Sequence, residues 1–492
     1  MFKKFISFVI IFSLILSIGC SNINEPEPIS QNQESNEETI LKVKNDGGDF
    51  SHKDLIYFIM TDRFYDGDKS NNNFKDVNKK DPKAFHGGDL KGIIKKLDYI
   101  KSLGATAIWI TPVYKNQSYG YHGYWITDFN KLDPHLGTLE DLKKLVDQAH
   151  KRNIKVMLDY VVNHTGYKSP WLKDEKHKDW FHPKKDIHDW NDQTELENGW
   201  IYGLPDLDQS NPKVRNFLIN NALWFIKETD IDGMRLDNVK HVPKDFWNEF
   251  AYRIKKEYPD FYLLGEVWSE NPRYLELYHK LGIDGLTNYS LFKGIRETFT
   301  WYGKTSALIN AIKRERFFSY PSINGVFLDN HYNKRFITAV GKHGDKYLKQ
   351  ALTFVMTYPA IPVIYYGTEI AMAGGDDPDN RRDMEWYRVD SSKMLKFYKK
   401  LVNLRQNNNA LKEGKFRLLD YDEDFISYIR QKGKDSVIVV MNIRDKEKQV
   451  SINIPNDSKN YKDILSNKVL KVNDKRLKIN LKPLDLLILV DN

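Results

Sequence analysis

From residue 55 onward, short apolar runs alternate with stretches whose apolar residues fall at helical spacing. LIYFIM (55–60), TAIWIT (106–111), IKVMLDYVV (154–162), IDGMRLD (231–237), FYLLGEVW (261–268), DGLTNY (284–289), GVFLD (325–329) and IPVIYY (361–366) read as buried strands. Between most of them lie amphipathic segments such as LKGIIKKLDYIKSLG, TLEDLKKLVDQAHKRN and NPKVRNFLINNALWFIKET. Eight strands alternating with helices predict an α/β fold, a (β/α)8 barrel rather than a doubly wound open sheet. Its functional residues belong at the C-terminal strand ends.

Two stretches break the alternation. The connection after Val162 is too long for an ordinary loop and is rich in Trp, His, Asp and Lys, so 163–211 reads as an inserted subdomain. After a last helix near 394–406 the pattern changes to short alternating runs (FRLLDY, FISYIR, SVIVVMNI, VSINI, LKINL, LLILV), which predict a C-terminal antiparallel β-sandwich over 411–492. The barrel then comprises 51–162 and 212–410.

The N-terminus differs in kind. Lys3 and Lys4 precede an apolar run from Phe5 to Ile18 that ends in LSIGC (16–20), too short to span a bilayer but suited to a secretory signal. Cys20 is the sole cysteine and follows Gly19 directly. The pattern is similar to a bacterial lipoprotein signal, with 1–19 removed and Cys20 acylated. Residues 20–50, rich in Asn, Gln, Glu, Ser and Pro, then read as a disordered tether, and the expected location is extracellular, lipid-anchored to the cell membrane.

Composition narrows the function classes. The 492 residues are 41% hydrophobic, enough for a large core, and one cysteine excludes an intramolecular disulfide. The net charge of +8 is spread along helix-like segments without a basic block interleaved with aromatics, so no nucleic-acid partner is expected. Aromatic residues make up 13%, which keeps carbohydrate ligands open. A monomer is expected.

The strand ends carry the chemistry. The third ends in DYVVNH (Asp159, Asn163, His164), the fourth in GMRLDNVKH (Arg235, Asp237, Lys240, His241), the fifth in GEVW (Glu266) and the seventh in FLDNHY (Asp329, His331, Tyr332). Arg235 and Asp237 are two apart and share a face of an extended strand, so the guanidinium keeps the carboxylate ionised and oriented, as a nucleophile requires. Glu266 follows Leu264 and Gly265 in an apolar setting that raises its pKa toward that of a general acid. Carboxyls on neighbouring strand ends can sit about 5 Å apart, the separation of a retaining glycosidase.

Read in order, DYVVNH, GMRLDNVKH, GEVW and FLDNH resemble the four signature segments of the α-amylase family, glycoside hydrolase family 13. GYHGYW (120–125), LPDLD (204–208) and GGDDPDNRR (374–382) extend the match. The resemblance implies that Asp237 is the nucleophile, Glu266 the acid/base and Arg235 a positioning residue. It places His164 and His331 on the sugar to be cleaved, with His122, Tyr124 and Trp125 beside it and Tyr124 stacking. Asp377 and Arg381 would hold the neighbouring donor sugar, and Lys240 and His241 the leaving-group side.

One position departs from the family. Where its fourth segment has His-Asp, this chain has His331-Tyr332. The missing carboxylate grips two hydroxyls of the distorted sugar, and a neutral phenol cannot accept two such bonds. Losing one such contact typically costs about 10²–10³ in rate. Asp329 is expected to face elsewhere. The resemblance also implies two calcium sites. One, like the N-terminal calcium loop of cyclodextrin glucanotransferases, would use Asp66, Asp68, Asn71, Asn72, Gly87 and Asp89; the other would use Asn163, Asp206 and the His241 carbonyl.

The leading expectation is endo-hydrolysis of α-1,4-glucans such as starch, glycogen and malto-oligosaccharides. An α-glucan transglycosylase is the second, set back because the extra C-terminal domains of cyclodextrin glucanotransferases are missing. The third is a catalytically impaired glucan-binding envelope protein, motivated by Tyr332 alone.

Overall fold

The computed structural model describes residues 47–491; the expected signal, Cys20 and the tether as far as residue 46 lie outside the described residues. Residues 47–50, expected to end that tether, pack against the barrel instead. Phe50 is buried and stacks on Tyr262 at 4.5 Å, and the Asp49 N–H donates to the Asp260 carbonyl at 3.1 Å. An aromatic ring with a buried surface to cover outweighs the polar composition around it.

Eight parallel strands, β1 (Ile56–Ile59), β2 (Ala107–Ile110), β3 (Lys155–Tyr160), β4 (Gly233–Leu236), β5 (Tyr262–Gly265), β6 (Gly285–Leu286), β7 (Gly325–Phe327) and β8 (Ile361–Tyr365), lie in the order β6-β5-β4-β3-β2-β1-β8-β7. A parallel bridge between Thr287 and Gly325 joins the two ends, so the sheet closes into a barrel. The strands are buried almost throughout, because one face lines the barrel and the other meets helices. That is why they read as continuous apolar runs. β6 is shorter than its sequence run: the Asn288 side chain accepts from Leu291 N and starts the helix Tyr289–Thr298 there.

The intervening helices start on side-chain caps. Asp89 opens Leu90–Ser102, a Thr138/Asp141 capping box opens Leu139–His150, and Asn211 with Pro212 opens the helix Pro212–Thr229. Between β3 and this last helix, the insertion builds a small core from Ile187, Leu196, Ile201 and Leu204, against which Trp125 packs. A His164–Asp206 bridge ties its two ends together. After the helices Lys393–Asn407 and Asn409–Glu413 come a six-stranded antiparallel sheet and the two-stranded ribbon Lys448–Asn453/Arg476–Leu481, which share a core including Ile438, Val440, Ile452 and Leu477.

Candidate active site

One guanidinium organises three carboxylates at the C-terminal mouth of the barrel. Arg235, on β4, lies in register with Asp159 on β3 and with Leu264 on β5. Its Nη1 donates to Asp159 Oδ1 at 2.9 Å and to Asp237 Oδ1 at 2.5 Å, and its Nη2 sits 2.6 Å from Glu266 Oε2. All four side chains are buried. A planar guanidinium holds two carboxylates on separate nitrogens at a fixed separation, which a lysine cannot do.

The two catalytic candidates differ in environment. Burial, opposed by Arg235 and reinforced by Asp237, pushes the Glu266 carboxyl up to about 7. Tyr289, at the start of its helix, donates to Glu266 Oε1 at 3.2 Å, and the Asn238 backbone N–H reaches Oε2 at 3.4 Å. Asp237 accepts from Arg235 and from Asn238 Nδ2 at 2.8 Å. Asn238 adopts φ +49, a left-handed conformation that asparagine tolerates, and so serves both carboxyls from one turn. Asp159, pushed by burial up to about 6, accepts from Tyr124 Oη at 2.6 Å and Trp109 Nε1 at 3.2 Å. It anchors Arg235 from below.

Tyr332 reaches the nucleophile candidate itself. Its hydroxyl donates to Asp237 Oδ1 at 3.0 Å, the same oxygen that Arg235 binds. Desolvation, with the charges of Asp237 and Glu266, holds the phenol well above its ordinary pKa, so it remains a donor. Its ring lies between His331 (3.9 Å between centroids) and Trp268 (5.9 Å). Asp329 faces away as expected, accepting from the Phe336 N–H and from Thr368 Oγ1.

The other sequence-derived residues gather around this centre. A cleft of ≈ 600 Å³ is lined by His122, Tyr124, Trp125, His164, Lys240, His241, Asp377 and Arg381 together with Asp237, Glu266 and Tyr332. His331 lies against it, parallel to the Tyr124 ring at 5.1 Å, with both ring nitrogens buried and unpartnered. Buried polar atoms are ordinarily hydrogen-bonded, so these two nitrogens stand out as unused capacity beside the cleft. Arg381 donates to the His331 carbonyl at 2.8 Å and pairs with Asp377 at 3.2 Å. Sequence reasoning missed Trp109, Asn238, Tyr289 and Trp268. Only Trp268, two residues beyond Glu266, carried a local signal.

The loops expected to hold cations divide. Among the described residues no three His, Cys, Asp or Glu side chains converge as a metal cluster, so any hard-cation site here depends on amide and carbonyl oxygens as well. In the first loop Asp66 Oδ1, Asn71 Oδ1 and Asn72 Oδ1 are buried without a hydrogen-bond partner. A Cβ on Gly87 would sit 2.3 Å from Asn72 Oδ1, so glycine lets the backbone approach there. Asp68 is engaged otherwise, by Ser70 and by Lys91 Nζ at 2.6 Å. Asp89 spends its oxygens on the backbone N–H groups of Gly67, Asp68 and Gly92 and caps a helix. In the second, Asn163 Oδ1 and Asp206 Oδ1 are buried and unpartnered, and burial pushes Asp206 up to about 7. His241 bonds through Nδ1 to the Leu196 carbonyl at 3.2 Å, which brings the insertion's helix beside that site.

Comparison with known proteins agrees with this architecture. The alpha amylase catalytic domain matches residues 58–388, and the maltogenic amylase C-terminal domain matches 416–488. A beta/alpha-amylase of Paenibacillus polymyxa is 41% identical over 411 residues, covering 79% of this chain but only 33% of that protein. An Anoxybacillus α-amylase of known structure superposes with a TM-score of 0.85 at 45% identity, covering 89% of this chain and 98% of the other. A cyclomaltodextrin glucanotransferase with a three-domain ABC distribution superposes with a TM-score of 0.81 at 31% identity, covering 89% and 99%.

Proposed function

The chain belongs to the α-amylase family of glycoside hydrolases, and from that premise we propose that it is a retaining, endo-acting α-1,4-glucan hydrolase whose turnover Tyr332 holds down. The observation that carries this reading is the single guanidinium bound to both Asp237 and Glu266, two carboxyls whose surroundings set them apart. Glu266, protonated, gives its proton to the glycosidic oxygen as Asp237 attacks the anomeric carbon. The C–O bond breaks, the leaving glucan departs with the proton, and a glycosyl ester forms on Asp237. Glu266, now a carboxylate, takes a proton from water as that water attacks the same carbon and frees Asp237. Tyr124, His164 and His331 bind the reacting sugar, and Asp377 with Arg381 its donor-side neighbour. A glucan acceptor in place of water gives transglycosylation through the same ester.

Two measurements test the chemistry. Products should appear first as α-anomers by NMR; initial β-anomers would mean inversion and would sink the assignment. The active form carries a proton on Glu266, whose folded pKa is raised, so kcat/KM should fall as pH rises through about 7. A rate that holds to pH 9 would show that some other group is the acid.

Calcium belongs to the same reading. Asp66, Asn71, Asn72 and the Gly87 carbonyl would hold one ion, and Asn163, Asp206 and the His241 carbonyl a second, where the unpartnered oxygens lie. Bound calcium would supply positive charge that fixes these loops and the root of the insertion. A ligand that binds only the folded state raises stability by mass action, so chelation should lower Tm. Asp66→Ala and Asp206→Ala should each remove part of that shift. A melting curve indifferent to chelator and to added calcium would count against both sites. For location, the LSIGC segment supports acylation at Cys20 and display outside the cell.

A further inference from the structure

Separate from the cleft, five lysines ring a depression of ≈ 330 Å³ between the barrel and the C-terminal domain. Lys346 and Lys349 stand on the helix Gly344–Thr357, and Lys393, Lys396 and Lys400 on the helix Lys393–Asn407. The two helices flank β8 in sequence, and Lys349 Nζ lies 5.7 Å over the Phe397 ring of the second. Among the described residues no carboxylate lines the depression, Asp345 beside Lys346 included. Lysines elsewhere, such as Lys143, Lys255 and Lys293, are paired with acids; among the described residues these five are not. The acids on the neighbouring C-terminal hairpins are spent on backbone. Asp463 accepts from the N–H groups of Leu465, Ser466 and Ile488, and Asp485 from those of Lys482 and Leu486.

Folding gains nothing from this arrangement. Lys346 and Lys349, Lys393 and Lys396, and Lys396 and Lys400 are like-charge pairs at three- and four-residue spacing, where repulsion destabilises a helix. Lys346, Lys393 and Lys396 also sit in the first turn of their helices, the positive end of the backbone dipole, where cations are disfavoured. The helix Lys393–Asn407 has no acid in its first turn to offset them. Charges set against the stability of their own helices mark a functional surface, one where an outside anion supplies the missing partner.

The floor decides which anion. It is apolar, made by Phe397, Leu465, Leu484 and Leu486, with Leu465 and Leu484 carried on turns of the C-terminal domain. A soluble polyanion offers charge alone and leaves this floor in water, whereas the boundary of a bilayer offers phosphates beside hydrocarbon. Lysine stems lie along apolar surface and carry their charged heads outward, which suits that boundary. The chain also enters the domain close by. Arg405, on the same helix as Lys393, Lys396 and Lys400, donates to the His52 carbonyl. Residues 20–46 separate this part of the chain from Cys20, so an anchor there would keep a bilayer within reach of the groove.

We propose that this lysine-ringed groove docks on the surface of an anionic lipid bilayer. The inference goes beyond the hydrolase reading and stands or falls apart from it. It also stands apart from acylation, because the test uses the full chain carrying Cys20→Ser. The measurement is co-flotation with phosphatidylcholine vesicles made with and without phosphatidylglycerol, at low and at high salt. The chain should float with the phosphatidylglycerol vesicles, be released by salt, and stay behind with phosphatidylcholine alone. Lys393→Gln/Lys396→Gln/Lys400→Gln should weaken flotation about a hundredfold. Its Tm should not fall, since like charges are being removed, and kcat/KM on a soluble malto-oligosaccharide should be unchanged. Lys176→Gln/Lys256→Gln/Lys280→Gln removes the same charge from other surfaces and should keep most of the binding. An equal loss in that control would show attraction by net charge alone and overturn the groove. So would undiminished flotation of the groove variant, or equal flotation with phosphatidylcholine alone. A parent that ignores the vesicles but is retained by soluble polyphosphate would overturn the bilayer as the occupant.

Discussion

A Tyr332→Asp enzyme is expected to turn over malto-oligosaccharides about 10²–10³-fold faster than the parent chain, with kcat and kcat/KM rising together. Two effects act in the same direction. The phenol donates to Asp237 Oδ1, where Arg235 already donates, so the carboxylate gives up charge density to an extra donor and is the poorer nucleophile for it. The phenol also stands where a carboxylate would accept bonds from hydroxyls of the distorted sugar, bonds that strengthen in the oxocarbenium-like transition state. Tyr332→Phe separates the two. It frees Asp237 from the phenol and restores no carboxylate, so its gain should be small beside that of Tyr332→Asp. Asp237→Asn placed in the Tyr332→Asp background should leave almost nothing, because an amide cannot form the glycosyl ester. Equal turnover by parent and Tyr332→Asp would show that Tyr332 is a working part of a divergent site.

The chain announces its barrel more plainly than its active centre. Strands buried on both faces must be apolar throughout, so TAIWIT or IPVIYY can be read without a partner. The run DGLTNY reads on in sequence to Tyr289, past the end of β6, and only the Asn288 cap decides that a helix takes over. Phe50 reads as part of the tether because its neighbours are polar; the ring finds Tyr262, 212 positions away, a contact no local pattern can report. The charge cluster was legible in part. Arg235 and Asp237 share a strand face by alternation, whereas Asp159 and Glu266 join them through strand register, which sequence leaves open. Asp89 has two readings that sequence cannot separate. A carboxylate in an Asn/Asp-rich loop reads as a cation ligand, but it also stands immediately before a helix, and its oxygens are taken by three backbone donors. Tyr332 stands out as an anomaly in sequence, yet its bond to Asp237 depends on a ring long enough to cross the cleft floor from β7 to β4.

The largest effect on the fold should come from Arg235, since one buried cation is shared by three buried carboxyls. Arg235→Met keeps much of the side-chain volume and removes the charge. Asp159, Asp237 and Glu266 then lose their common partner while their side chains remain buried, and breaking a buried pair in this way costs about 3–5 kcal/mol. The loss should depend on pH in a definite direction. Burial already lifts Asp159 to about 6 and Glu266 to about 7 against the pull of the guanidinium. Without that pull their folded pKa values rise further above those of the unfolded chain. A carboxyl raised in this way stabilises the fold in its protonated form, and the contribution is lost as pH rises through the folded pKa. Denaturant midpoints of parent and Arg235→Met should therefore lie close at pH 5 and well apart at pH 8. Arg235→Lys should narrow the gap at pH 8, since a charge returns, but leave turnover low, because a single ammonium cannot hold Asp237 and Glu266 on two nitrogens. A gap of the same size at both pH values would mean that Arg235 stabilises the barrel by packing alone, and that the three carboxyls do not need its charge to be buried together.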